Sequence, residues 1–404
     1  EKSEIIPGLA LNYYNHWKIK RAFIPTIDHI LSNGYSPEEI IDKVRSVCTS
    51  IKFSSDRNVC YDPLSAILND DTPNNLIPTN VPFIDNYIGG GFGQTDVAIL
   101  LGATGSGKTT LGAQIIASMA KEAYSRNEDI VFVMATYEDT AGAVGRRIIS
   151  NLATIPRNKL KSRDFLNELS DKNNPQQYEK KIQARNKNFI IGERERFEAI
   201  MPIIENHIRI LDYARGGTAK DSRTVGCGGF LEICRDIEKI EKRIGIIVID
   251  WIGMLVDRYL ELIGSKNQQT DEHIRLRRSC DEAYKILALK FNCPVLLIHQ
   301  LSGTATSKSP TAKLSHADAL GCRTIAVNAW HVFVMGTKDH ATNTVKFHCT
   351  KTRHAESKSP RILQLDGDIA RFIDVTDSFF IDPYSERIIN KSLLGTLSVE
   401  GRNP

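Results

Sequence analysis

No apolar run in the 404 residues reaches the roughly 18–20 residues that a membrane-spanning helix needs. The longest are 97–101 (VAILL), 244–249 (IGIIVI) and 294–298 (PVLLI), the lengths of buried strands. A membrane partner is therefore not expected. Paired Cys or Cys/His spacings are also missing. The eight cysteines (Cys48, Cys60, Cys227, Cys234, Cys280, Cys293, Cys322 and Cys349) are scattered, with no CxxC, so a zinc site is not expected. No secretory signal leads the sequence, and reduced thiols in a cytoplasmic or other reducing compartment are the expectation. Charge of one sign is lacking too. Lys and Arg total 52 against 48 Asp and Glu, a net charge of +4, so any polyanion site must be local. Internal repeats and long low-complexity segments are absent. A composition 41% hydrophobic and 25% charged excludes collagenous, coiled-coil and wholly disordered chains.

What is present divides the chain. Residues 1–68 read as a mostly helical segment, with Ser36-Pro37-Glu38-Glu39 as a helix start followed by an apolar stripe at Ile40, Ile41, Val44 and Val47. Residues 69–80 (NDDTPNNLIPTN) read as a linker. From 81 to 380 short apolar strands alternate with helices, which predicts an α/β domain with a mainly parallel twisted sheet covered on both faces. Residues 381–404 are left as a tail. The chain begins at Glu1 rather than Met, the start expected of a processed chain or of a piece of something longer.

The strand 97–101 runs into Gly102-Ala103-Thr104-Gly105-Ser106-Gly107-Lys108-Thr109, which fits GxxxxGK[ST] in full, and a helix follows at once through Thr110. Glycines let successive N–H groups curl toward phosphates. Lys108 supplies a point charge to the β and γ phosphates, and the Thr109 hydroxyl is a ligand for Mg²⁺. The helix N-terminus adds its positive dipole. ATP and Mg²⁺ are the expected cofactors. Asp250, closing the strand 245–249, is the expected second metal ligand.

Seven elements in order make residues 77–372 resemble the RecA-like core of the DnaB-type replicative helicases. They are the opening segment 78–93 (PTNVPFIDNYIGGGFG), the phosphate loop, Tyr137-Glu138-Asp139, the helix 147–160 (RIISNLATIPRNKL), the strand 246–255 (IIVIDWIGML), the strand 293–301 (CPVLLIHQL), and 349–353 (CTKTR). The resemblance implies that Glu138 activates the attacking water, with Asp139 and Glu122 as rivals. It implies that Gln300 senses the γ-phosphate, with His299 as its rival. It makes Lys351 and Arg353 a finger reaching the nucleotide of an adjacent subunit. If the finger acts in trans, catalysis requires a ring or filament, and a homohexamer is the expected assembly. Residues 18–51 resemble the helical linker that precedes this core.

In the resembled family two loops line a channel for single-stranded DNA. Here they are 258–270, carrying Lys266, and 302–323, carrying Lys308, Lys313 and Arg323. Ser, Thr, Gly and Lys suit contacts to a phosphate backbone, and the shortage of aromatics beyond Tyr259 predicts no base readout. The basic run 273–278 (HIRLRR) is a solvated face, a subunit contact or a DNA contact. One departure stands out. Where the family runs close to I-E-Q-D-A-D, this chain has Ile325-Ala326-Val327-Asn328-Ala329-Trp330. Residues 161–207 are longer and more charged than a minimal core requires.

The expected function is an ATP-driven hexameric helicase that moves on single-stranded DNA and unwinds a replication fork, with a primase or helicase loader as a further partner. Two readings stand beside it. One is a filament-forming recombinase of the RecA/RadA type. The other is a KaiC-like signalling ATPase, or an assembly scaffold, without nucleic acid.

Overall fold

The computed structural model describes residues 76–161, 192–214, 229–262, 268–309, 312–353, 355–356, 358–381 and 388–390. The expected helical segment 1–68, most of the linker, Lys266, residues 162–191 and most of the tail lie outside the described residues. Contacts divide the chain into Glu1–Pro73 and Asn74–Pro404, and the described residues all belong to the second unit.

Eleven strands and six longer helices are described. In chain order they are β1 Val97–Gly102, α1 Lys108–Ser125, β2 Ile130–Thr136, α2 Ala141–Ala153, α3 Glu193–His207, β3 Ile208–Asp212, α4 Phe230–Ile237, β4 Arg243–Asp250, α5 Ile252–Leu262, α6 Gln268–Ala283, β5 Val295–Gln300, β6 His331–Met335, β7 Thr344–Lys351, β8 Arg361–Asp366, β9 Arg371–Asp374, β10 Phe379–Ile381 and β11 Ile388–Asn390. Nine strands form one sheet in the order β3-β2-β4-β5-β1-β6-β7-β8-β9. The first six in that order are parallel, and β6 to β9 pair antiparallel. β10 and β11 form a separate pair that carries strand structure past residue 380.

Both faces of the parallel part are buried, which is why β1, β2, β4 and β5 read as unbroken apolar runs. Alternation along each strand sorts the side chains. Leu100, Met134, Val248, Leu296 and Ile298 face α1 to α3, packing on Leu111, Ile115, Val144 and Ile200. Leu101, Val133, Ile249, Val295 and Leu297 face α4 to α6, packing on Ile233, Leu255, Leu276 and Cys280.

The fold opens before residue 81. Ile77 pairs with Phe92 through two backbone hydrogen bonds of 2.6 and 2.9 Å, and Asp85 accepts from the Thr79 N–H and hydroxyl at 2.9 and 2.7 Å. The antiparallel end is sewn to α1. The buried Gln114 amide donates to the Phe372 carbonyl at 3.1 Å and accepts the Phe372 N–H at 2.7 Å. The described cysteines, Cys234, Cys280, Cys293, Cys322 and Cys349, are buried free thiols. Among the described residues no helix is long and apolar enough to cross a membrane.

Two of the expected loops are more ordered than their composition suggests. Of 258–270, residues 258–262 belong to α5 and 268–270 to α6, because the apolar stripe of α5 continues through Leu260. The stretch 302–323 holds a helical turn at Gly303–Thr306, capped by Ser302, and a 3₁₀ turn at His316–Asp318 closed by a Ser315–Asp318 capping box. Its described residues therefore carry local structure of their own.

Candidate nucleotide site

The site forms at the C-terminal ends of the parallel strands, where β1, β5 and β4 lie side by side. Gly102 is the last residue of β1, and α1 starts at Lys108. The loop between them needs its glycines. Gly105 and Gly107 have φ of 76° and 98°, and a Cβ on Gly107 would lie 2.6 Å from the Phe372 ring. Lys108 is buried, and its Nζ donates to the Ala103 carbonyl at 3.0 Å. Burial lowers its pKa, against the opposing pull of Asp250 and Glu138. Thr104 and Gly105 are exposed, Gly107 and Thr109 are half-buried, and Ala103, Ser106 and Thr110 are buried.

Asp250 ends β4 on the α1 side of the sheet, two residues after Val248. It is buried and accepts a hydrogen bond from Thr109, while its Oδ2 has no partner. Its pKa is pushed up to about 6, first by burial and further by the nearby Glu138 charge, with the Thr109 bond and Lys108 opposing. A hard divalent cation fits this pair. It would take an oxygen from Thr109 and the orphan oxygen of Asp250, and phosphate or water oxygens would supply the rest.

The loop after β2 hangs over the same point. Thr136 is in register with Asp250, and the Tyr137 N–H donates to the Asp250 carbonyl at 2.5 Å. Glu138 is exposed and close enough to act on both Lys108 and Asp250. Its rivals are engaged elsewhere. Asp139 pairs with Arg147 at 2.8 Å, and its carbonyl accepts from Thr136 Oγ1 at 2.6 Å. Glu122 pairs with Arg126 at 2.8 Å, fourteen residues along α1 from Lys108, about 21 Å at 1.5 Å per residue.

Strand parity separates Gln300 from His299. Gln300 follows Leu296 and Ile298 on the α1 side, opposite Gly102 in register. His299 points to the other face, fully buried, its Nε2 hydrogen-bonded to the Leu320 carbonyl at 2.8 Å. A carbonyl can only accept, so the proton sits on Nε2. Burial drives the His299 pKa down to about 4, and the Lys108 charge adds to this.

Lys351 and Arg353 lie elsewhere. Lys351 pairs with Val332 near the start of β6, at the end of the sheet opposite the phosphate loop. Its Nζ donates to the carbonyls of Val327 at 2.6 Å and Ala326 at 3.4 Å. The Arg353 guanidinium lies 4.4 Å from the centre of the Trp330 ring. Five residues of β1 separate this edge from Gly102, about 17 Å at 3.3 Å per residue. Arg353 therefore cannot serve its own Lys108.

Among the expected nucleic-acid residues, Lys308 pairs with Asp318 at 2.9 Å, and Lys313 and Arg323 are exposed. Lys313 acts on Lys346, whose pKa is lowered by burial and by that neighbouring charge. Sequence reading missed Lys346, because an isolated Lys in a strand gives no signal until the loop folds over it. It also missed Arg147 as the partner of Asp139 and Trp330 as the partner of Arg353. Both contacts join elements that no periodicity links.

The DnaB-like helicase C-terminal domain family model matches residues 77–215. The match includes the phosphate loop and Glu138 and ends before Asp250, Gln300, Lys351 and Arg353. No curated protein sequence matches the chain significantly. Among solved structures, an isolated ATPase domain superposes with a TM-score of 0.54 at 14% identity, over 77% of this chain and 95% of that one. A DnaB-like replicative helicase, described with its interactions with primase, gives 0.55 at 14% identity, over 91% of this chain and 78% of that one. A KaiC-like protein from Pyrococcus horikoshii OT3 gives 0.42 at 19% identity, over 74% and 98%. The first two superpositions show the fold, a RecA-like α/β core, and the expected resemblance to the DnaB-type helicases holds.

Proposed function

We propose that this chain is an ATP-driven DNA helicase motor that works as a ring, with nucleotide bound between neighbouring subunits. The observation that carries the reading is the Thr109–Asp250 pair with its orphan carboxylate oxygen, within electrostatic reach of Lys108 and Glu138. The family-model match over the phosphate loop supports it.

Each residue then has a role that its position allows. ATP phosphates take the place of the Ala103 carbonyl on Lys108 Nζ, and the loop N–H groups from Thr104 to Thr110 close around them. Thr109 and Asp250 would hold Mg²⁺, which when bound would neutralise phosphate charge. Glu138, exposed to solvent beside them, accepts the proton of the attacking water. Gln300, level with Gly102, hydrogen-bonds the γ-phosphate and passes its presence to the 302–323 segment, whose Leu320 N–H is bonded to the Gln300 carbonyl at 2.9 Å. Arg353, remote from its own phosphate loop, acts on the nucleotide of the next subunit, which is why a homohexamer is the proposed assembly. Lys313 and Lys346, with Arg323 and Lys308, contact the DNA backbone, and Lys266 is proposed as a further contact. A primase or helicase loader remains a proposed partner.

The nucleic-acid part is tested by hydrolysis assays with and without single-stranded DNA. The account predicts stimulation that falls in a Lys313→Ala/Lys346→Ala double variant while basal hydrolysis persists. Hydrolysis indifferent to DNA would favour the signalling reading instead.

A further inference from the structure

The segment 325–330 (IAVNAW) carries no charge, and both cations of the proposed finger rest on it. We propose that Trp330 is a positioning residue for Arg353: its ring is a platform that presents the guanidinium to the neighbouring subunit, and Lys351 is the strut that holds the platform in place. The proposal rests on Arg353 acting in trans.

The geometry distinguishes the two cations. Arg353 is exposed, and its guanidinium carbon lies over the Trp330 ring, 4.4 Å from the centroid. A cation held over a ring face is attracted by the ring quadrupole, with no carboxylate taking up the N–H fork that a phosphate needs. Lys351 is in the opposite position. Its ammonium already donates to two carbonyls, those of Val327 and Ala326.

The platform is fixed on several sides. The Trp330 backbone N–H donates to the Val97 carbonyl at 2.8 Å, tying it to the start of β1. The Tyr284 ring packs near it, centroids 6.5 Å apart and 28° from parallel. Asn328 donates to Asp281 at 2.8 Å, and the Cys280 thiol donates to the Ile325 carbonyl at 3.5 Å, so α6 holds the segment from one side while Lys351 holds it from the other. An acid at position 330 would pair with Arg353 through the fork itself. The aromatic ring leaves the fork open.

The test compares ATP hydrolysis by the assembled protein for wild type, Trp330→Leu, Trp330→Phe, Arg353→Ala and the double variant Trp330→Leu/Arg353→Ala. A finger acts in the transition state, so Trp330→Leu is expected to lower kcat about three- to tenfold with KM for ATP unchanged. Trp330→Phe, which keeps a ring face, is expected to recover most of that loss. The double variant is expected to match Arg353→Ala alone, because the platform has nothing left to position. Thermal melting and oligomer size, measured alongside, separate misfolding from mispositioning. The proposal is overturned if Trp330→Leu leaves kcat unchanged, if Phe does not rescue, or if the losses add in the double variant. If Arg353→Ala itself keeps full kcat, the finger reading fails first, and the platform with it.

Discussion

At the residue scale Glu138, rather than a neighbouring acid, is the proposed base for the attacking water. Asp139 is held by Arg147 at 2.8 Å, while Glu138 stays exposed and acts electrostatically on both Lys108 and Asp250. Glu138→Gln is expected to bind ATP normally and to lower kcat by about 10²–10⁴. Steady-state hydrolysis and nucleotide-binding titration check this. A second residue sets a pH limit. His299 is buried and neutral, with a pKa near 4 against about 6.5 for a free imidazole. The unfolded chain takes up this proton first, so the contribution is complete above about pH 6.5 and is lost as pH falls toward 4. Over that window the loss is on the order of 3 kcal/mol. Denaturant melts at pH 7 and pH 5 should show it, and His299→Asn should flatten the dependence.

At the element scale, much of the sheet was legible and the joints between elements were not. The strands buried on both faces announced themselves as apolar runs, and the phosphate loop gave the junction of β1 and α1 directly. β8 (RILQLD) and β9 (RFID) were missed because each exposes part of a face and mixes charge with apolar residues. The ends of 258–270 were read as loop because polarity there resembles a linker, yet α5 and α6 extend into it. Asp250 could be found from its place at a strand end. Gln300 and His299 face opposite ways because they are adjacent in a strand, and the register puts Gln300 level with Gly102, which supports the proposal that Gln300 is the sensor. The pairing of Gln114 with the Phe372 backbone had no signature at all, because it joins residues 258 apart. It is testable. Gln114→Leu leaves a buried N–H and carbonyl unpaired and is expected to destabilise the fold by about 1–3 kcal/mol in denaturant titrations.

At the scale of the whole molecule, the phosphate loop and the proposed finger sit at opposite ends of the same sheet, so on the proposed reading a complete site takes two subunits. A direct consequence is complementation. Lys108→Ala subunits keep Arg353, and Arg353→Ala subunits keep the phosphate loop. Each alone should be inactive. Mixed one to one at random, roughly a quarter of ring interfaces pair an intact loop with an intact finger, so hydrolysis should return in part. No recovery from a mixture shown to co-assemble would mean that the finger does not act across the interface.

The central claim is that hydrolysis in this fold drives strand separation. The measurement that tests it most directly is ATP-dependent unwinding of a forked DNA duplex by the purified protein, with Arg353→Ala in parallel. The account predicts unwinding by the wild type and none by the variant, which still binds ATP. Hydrolysis by the wild type without unwinding, or unwinding undiminished in Arg353→Ala, would contradict it.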